Sequence, residues 1–182
     1  SQAENEEDAG RMARMLRAID DCPLPVIALA HGAAIGGGVG LVAAADIALA
    51  AEGTVFSLAE VKLGILPSVI SPYVLRAIGA RQARRYFISA EEFTAAEAFR
   101  IGLVHDICPL EELDGRINEL LGTLLVAGPR AQAEAKALVR AVSARPIDNA
   151  VIADTAARVA RVRGSAEGKE GVAFGLFTTT GR

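Results

Sequence analysis

The chain has 182 residues, 52% of them apolar, and a formal charge of −3. That length and apolar share suit one α/β or α+β domain with a sizeable core and exclude a disordered chain. The slight acidic excess argues against a general nucleic-acid surface, and two isolated cysteines, Cys22 and Cys108, make no disulfide framework.

Residues 3–20 predict a helix. Met12, Met15, Leu16 and Ile19 recur at helical spacing, acids stand early and arginines late, and Asp20, Asp21 and Pro23 end it. Residues 26–30 are too uniformly apolar for a half-exposed strand and read as a buried parallel one. Gly32 and the run Gly36, Gly37, Gly38 mark a turn where side chains would obstruct the backbone. Residues 39–45 read as a short buried helix, 47–51 as the next strand and 54–57 as a further extended piece. Gly64, Pro67 and Pro72 punctuate a loop, which leads into helices over 71–78 and 80–87. The second of these carries Arg81, Arg84 and Arg85, read as the solvated face of a helix rather than an anion patch. Thr94 with Glu97 reads as a capping box heading a helix over 95–101, and Gly102 as the residue that closes it. Residues 104–107 predict a strand. Helices over 110–125, 129–144, 146–162 and 166–176 follow, so the second half is nearly all helix.

Residues 26–51 come closest to a membrane-spanning stretch, but His31, Asp46 and repeated glycines interrupt them, so no membrane insertion is expected. The opening SQAENEEDAG carries no signal-peptide pattern, and the sparse cysteines suit a reduced compartment. A cytoplasmic protein is the expectation. Two histidines far apart, His31 and His105, make no zinc site. His31, after a buried strand, reads as a hydrogen-bonded core residue.

The glycine cluster admits several readings. Gly38-x-Gly40-x-x-Ala43 nominally matches a dinucleotide fingerprint, with Glu60 about twenty residues on. The spacing fails, because His31 to Ile35 separate the glycines from the strand and the next strand ends near Ala51. No Gly-Lys-Ser/Thr follows, so a phosphate loop is excluded. Taken alone, the cluster permits close helix–strand packing. The same geometry also presents the N–H groups of a helix start, without a Cβ in the way, to a developing oxyanion.

Three ordered segments decide among these readings. HGAAIGGGVGLVAAADIALA, FSLAEVKLGILPS and FTAAEAFRIGLVHDICP resemble the glycine-rich, catalytic-glutamate and Gly-Leu-Val segments of the enoyl-CoA hydratase/isomerase, or crotonase, family. The resemblance covers residues 24–110 well and the helical remainder loosely. It implies an α/β fold, a crotonase-like ββα spiral core with a C-terminal helical trimerisation region. The partial core would span residues 1–109 and the helical region 110–182. The family's first part, with a second oxyanion donor and much of the CoA surface, is absent from these residues. The resemblance further implies an acyl-CoA thioester substrate, a homotrimer or dimer of trimers, and neither metal nor resident cofactor, coenzyme A being part of the substrate.

By motif position Glu60 is the implied catalytic acid–base and the Gly37 backbone N–H one oxyanion donor. Gly36, Gly38, Gly40 and Pro67 are the implied substrate-binding positions. Relatives that hydrate commonly carry a second glutamate at the position of Gly40, which this chain lacks. Family isomerases work with one glutamate at the position of Glu60. The segments GGVGLVAAADIA, PSVISPYVLRAIG and ARRYF resemble a methylglutaconyl-CoA hydratase-like branch acting in leucine or isoprenoid-acid breakdown. Ser68 stands where many relatives have Gly after Pro. Near the end Phe174 fits the family's last helix, but Leu176, Phe177 and Thr178 replace a Glu-Lys-Arg that includes a CoA-contacting lysine. The expectation is therefore an enoyl-CoA hydratase acting on a branched or carboxylated 2-enoyl-CoA. Its rivals are an isomerase using Glu60 alone and a silent acyl-CoA-binding relative.

Overall fold

A computed structural model of the chain describes residues 1–179, with side chains described through residue 173. The expectations for Phe174, Leu176, Phe177 and Thr178 concern side chains outside that range. Helix α1 (Gln2–Asp21) buries Leu16, and Met12 and Ile19 pack against the same core. Met15, expected on that stripe, is 45% exposed. Positions 12, 16 and 19 line one face, and position 15 lies about 100° round the helix from 16.

From Ile27 the chain alternates between two small sheets. Strand β1 (Ile27–Ala30) enters one sheet and β2 (Ala33–Ile35) the other, and helix α2 (Gly37–Ala44) follows. Strands β3 (Ile47–Ala51) and β4 (Val55–Ser57) repeat the step, β3 lying parallel to β1 and β4 parallel to β2. A single 3-10 turn, Ala59–Leu63, and helix α3 (Ser71–Ser89) come next. Strand β5 (Glu92–Thr94) joins the second sheet antiparallel to β4. Helix α4 (Ala95–Arg100) leads to β6 (Asp106–Cys108), which closes the first sheet in the order β1-β3-β6. Successive ββα turns stacking strand on like strand give the spiral that the sequence led us to expect.

Several boundaries differ from the expected ones for local reasons. α2 begins at Gly37 because Val39 and Gly40 donate their N–H groups to the Gly36 carbonyl, which draws two glycines into the first turn. The two helices expected around residue 79 are hydrogen-bonded into one, broken at Gly79, whose φ of 73° and ψ of 159° are nearly confined to glycine. The Thr94 hydroxyl accepts the Glu97 N–H, at 3.3 Å. Glu97, however, turns its carboxylate to Arg100 and the Tyr86 hydroxyl rather than back to the cap, so only half of the expected box forms. The last strand falls at Asp106–Cys108 instead of 104–107, because Leu103 and Val104 bond back to α4.

The core is small-residue and aliphatic. Ala44, Ala48, Ala50, Val39, Leu58, Ile70 and Val74 are buried with Phe56, Phe93 and Tyr86. The Tyr86 and Phe93 rings pack at a tilt of 39° with their centroids 4.3 Å apart. α2, apolar on every side, buries Val39, Gly40, Val42, Ala43 and Ala44 and leaves Leu41 exposed. The chain divides into two compact units, one over residues 1–118 and one beginning at Glu119. The later helices are α5 (Leu113–Leu125), α6 (Pro129–Val142), α7 (Asn149–Gly164) and α8 (Ala166–Thr179). Residues 110–112, expected to open α5, form a separate 3-10 turn.

Candidate active site

The pairing of β2 with β4 brings the glycines and the acid together. Ile35 stands opposite Ser57, and the next N–H, that of Gly36, donates to the Ser57 carbonyl at 2.8 Å. Three residues past Ser57 the 3-10 turn returns Glu60 onto Gly36. The turn is closed by Gly64 in the left-handed conformation, and the Glu60 carbonyl accepts the Ile65 N–H. A Cβ on Gly36 would lie 2.9 Å from Glu60 Oε1, so the carboxylate rests directly on the glycine backbone. Gly36 also has φ 52°, which L side chains rarely adopt. Both facts favour glycine there.

Glu60 Oε2 is buried and accepts no hydrogen bond within the described residues. An unsatisfied buried acceptor costs about 1–3 kcal/mol. Such a cost persists where the acceptor serves a group that arrives later.

The three consecutive glycines do different work. Gly37 is the first helical residue of α2, so its N–H has no acceptor inside the helix. A Cβ there would lie 2.7 Å from Met12 Cε, which keeps α1 close over the helix start. At Gly38 the nearest atom to a Cβ would be Ala34 Cβ at 3.7 Å, an ordinary contact. Gly36, Gly37 and Gly38 are half-buried, whereas Gly40 and Pro67 are buried. The side of Gly40 on which a carboxylate would project is filled: a Cβ there would meet Ile70 Cγ2 at 2.2 Å. The structure thus brings Glu60, Gly36 and Gly37 together and sets Gly40 against Ile70. Sequence reasoning missed Ile70, Met12 and Ser57. The one available signal was Gly40 itself, a glycine between Val39 and Leu41 where a buried helix would otherwise take a larger residue.

The remaining candidates lie elsewhere. His31 is exposed rather than the core residue expected, because β1 ends at Ala30 and the turn carries it outward. His105 Nδ1 accepts the Ala48 N–H at 3.0 Å, a structural bond from the bend before β6 to β3. Cys108 is buried, which pushes its thiol up from the ordinary value. Arg81, Gln82, Arg84, Arg85, Ile88 and Ser89 line a surface concavity on the second segment of α3. Arg85 there is held by both oxygens of Glu91, at 2.7 and 3.1 Å. Among the described residues no group of three His, Cys, Asp or Glu side chains is placed to hold a metal ion. No helix among them is long and apolar enough to cross a membrane.

Comparison with known proteins bears on this arrangement. Residues 2–174 match the sequence model of the enoyl-CoA hydratase/isomerase family. An enoyl-CoA hydratase of Alternaria alternata, ACTT6, is 37% identical over 124 residues, which cover 68% of this chain and 42% of that protein. A crotonyl-CoA hydratase of Syntrophomonas wolfei is 34% identical over 139 residues, 76% of this chain and 54% of that one. The chain therefore spans about half the length of these curated relatives. Among solved structures, an enoyl-CoA hydratase from Shewanella pealeana superposes with a TM-score of 0.94 at 40% identity, over 98% of this chain and 66% of that one.

Proposed function

Because the chain belongs to the enoyl-CoA hydratase/isomerase family, we propose that it carries the proton-transfer part of a site that adds water to a 2-enoyl-CoA thioester. Glu60 takes a proton from water as the water oxygen bonds to Cβ of the enoyl group. The electron pair of the double bond moves toward the thioester oxygen, where the Gly37 N–H meets the developing charge. The protonated Glu60 then returns its proton to Cα, so one water is added and the carboxylate is restored. General acid–base catalysis of this kind contributes about 10²–10⁴-fold, and one oxyanion donor about 10²–10³-fold. In this reading Gly36, Gly38 and Pro67 shape the space beside the thioester. A segment outside these residues supplies the second oxyanion donor.

The observation that supports this reading best is the buried, unpartnered Oε2 of Glu60, held on Gly36 next to the N–H groups that open α2. For the substrate we favour a branched or carboxylated enoyl group such as 3-methylglutaconyl-CoA, on the resemblance of the segments over residues 37–87. Isomerisation of a 3-enoyl-CoA is the second reading. What favours it is that no carboxylate stands at position 40, where Ile70 fills the space. We assign Leu125, Val126 and Ile147, 83%, 86% and 89% exposed, to contacts between copies in a homotrimer or dimer of trimers, which light scattering tests.

The functional test uses the complete gene product with a panel of 2-enoyl- and 3-enoyl-CoA thioesters. Loss of the conjugated enoyl absorbance with a mass gain of one water, reduced about 10³-fold by Glu60→Gln, is the expected result. Conversion of 3-enoyl to 2-enoyl without mass gain moves the assignment to isomerase. Binding without turnover leaves only the silent acyl-CoA-binding reading.

A further inference from the structure

Gly36 and Gly40 stand one turn apart along α2, about 6 Å by helical rise. What covers them differs in kind. A Cβ on Gly36 would meet the Glu60 carboxylate, and a Cβ on Gly40 would meet Ile70, at 2.2 Å from Cγ2 and 2.8 Å from Cβ. Ile70 is 2% exposed and caps the start of α3 with ordinary helical dihedrals, φ −83° and ψ −17°. Its Cα would be 3.8 Å from the same Cβ, an ordinary contact, so the obstruction is the isoleucine side chain and not the backbone. Gly40 is equally fixed, since its N–H donates to the Gly36 carbonyl at 3.3 Å and holds the turn that presents Gly37.

We propose that Ile70 is a specificity-determining residue: by filling the volume that any side chain at position 40 would need, it keeps position 40 from contributing a second acid–base group to the Glu60 site. Among the described residues Glu60 is then the one group placed to remove and return the proton. This rests on the reading of Glu60 as the acid–base. It deepens that reading by naming what keeps a carboxylate from position 40, a residue thirty positions on that packs against Gly40.

The test is a pair of cycles on the full-length protein. With Ile70 present, Gly40→Ala lowers the midpoint of thermal unfolding by at least about 5 °C, because a close-packed core cannot absorb the added carbon. In the Ile70→Gly background the same Gly40→Ala change is neutral or stabilising. Equal cost in both backgrounds overturns the proposal. In the second cycle Glu60→Gln costs about 10³-fold in kcat when Gly40 and Ile70 are native. Its cost shrinks at least about tenfold when Gly40→Glu is combined with Ile70→Gly. An active native enzyme whose dependence on Glu60 is the same in both backgrounds, with the double variant folded, overturns this proposal alone. A native enzyme without turnover overturns the hydratase reading and the single-carboxylate claim with it. If the double variant fails to fold, the alanine cycle decides.

Discussion

Between Leu16 and Leu113 the interior is filled by alanine, valine, leucine, isoleucine and three aromatic rings, many of them wholly out of water. From Glu119 to residue 173, Val151 is the one apolar side chain that is buried. The helices of that region are held at their ends instead. Glu167, near the start of α8, accepts the N–H groups of Arg130 and Ala131 at the head of α6. Asp148 caps α7 through the Val151 N–H at 2.9 Å, and Arg161 pairs with Glu134 at 2.7 Å. The contrast shows where each region can bear a cost. A carboxylate oxygen without a partner is tolerable where dense apolar burial surrounds it, and Glu60 sits in that region. Polar caps in the helical region leave little surplus for such a feature.

The contrast can be broken experimentally, beginning with the largest effect. Phe56→Ala, at a wholly buried site stacked 5.6 Å from Phe93, should cost about 3–5 kcal/mol in a denaturant titration. A loss below about 1 kcal/mol would mean that this core is far looser than its burial suggests. Glu167→Ala removes two acceptors from the head of α6 and should cost about 1–2 kcal/mol. Amide exchange at Arg130 and Ala131 should quicken, with the strands unaffected. If the strands lose protection too, the two regions unfold together.

The acid response should be smaller and confined to the first region. Arg100, and after it the Tyr86 hydroxyl, hold the Glu97 carboxyl down at about 2. A lowered folded-state value stabilises above the unfolded value of 4.5 and loses that contribution as pH falls toward about 2. The stability difference between the native chain and Glu97→Gln should therefore be full at neutral pH and shrink below about pH 4.5. A difference that stays flat from neutral pH into acid would remove the assigned pairing. The smallest effect should be Ile147→Ala, at 89% exposure in the single chain: within about 0.5 kcal/mol at concentrations too dilute for copies to assemble. The loss should grow with protein concentration as copies assemble, and a loss that stays flat would remove Ile147 from the assigned contact.

The sequence revealed these features unevenly. The run over residues 47–51 announced β3, since five consecutive small and apolar residues suit a strand buried on both faces. The strands β2 and β5 were not legible. Each has three residues, and each exists only because β4 lies beside it from far along the chain. Glu60 stood out through its motif, yet its contact with Gly36 depends on the register of β2 on β4, which no local pattern encodes. Gly40 was legible as a departure. What fills its place was not, because an isoleucine thirty residues on carries no mark of its partner. The same limit applied at Glu97, where sequence spacing indicated a reciprocal cap and the nearby Arg100 took the carboxylate instead.

Gly40 and Gly79 are glycines for separable reasons. At Gly40 the obstacle is crowding by Ile70. At Gly79 nothing lies within 4 Å of where a Cβ would project, and the difficulty is the sign of φ alone. A mirror-image residue tells the two apart. D-alanine, introduced at position 79 by chemical ligation, finds its own preferred hand in that backbone and should stiffen the break between the two segments of α3, while L-alanine there should weaken it. At position 40 neither enantiomer gains from handedness. The bend in α3 is thus a place where the chirality of one residue, with no change in composition, sets the direction in which a helix leaves the core.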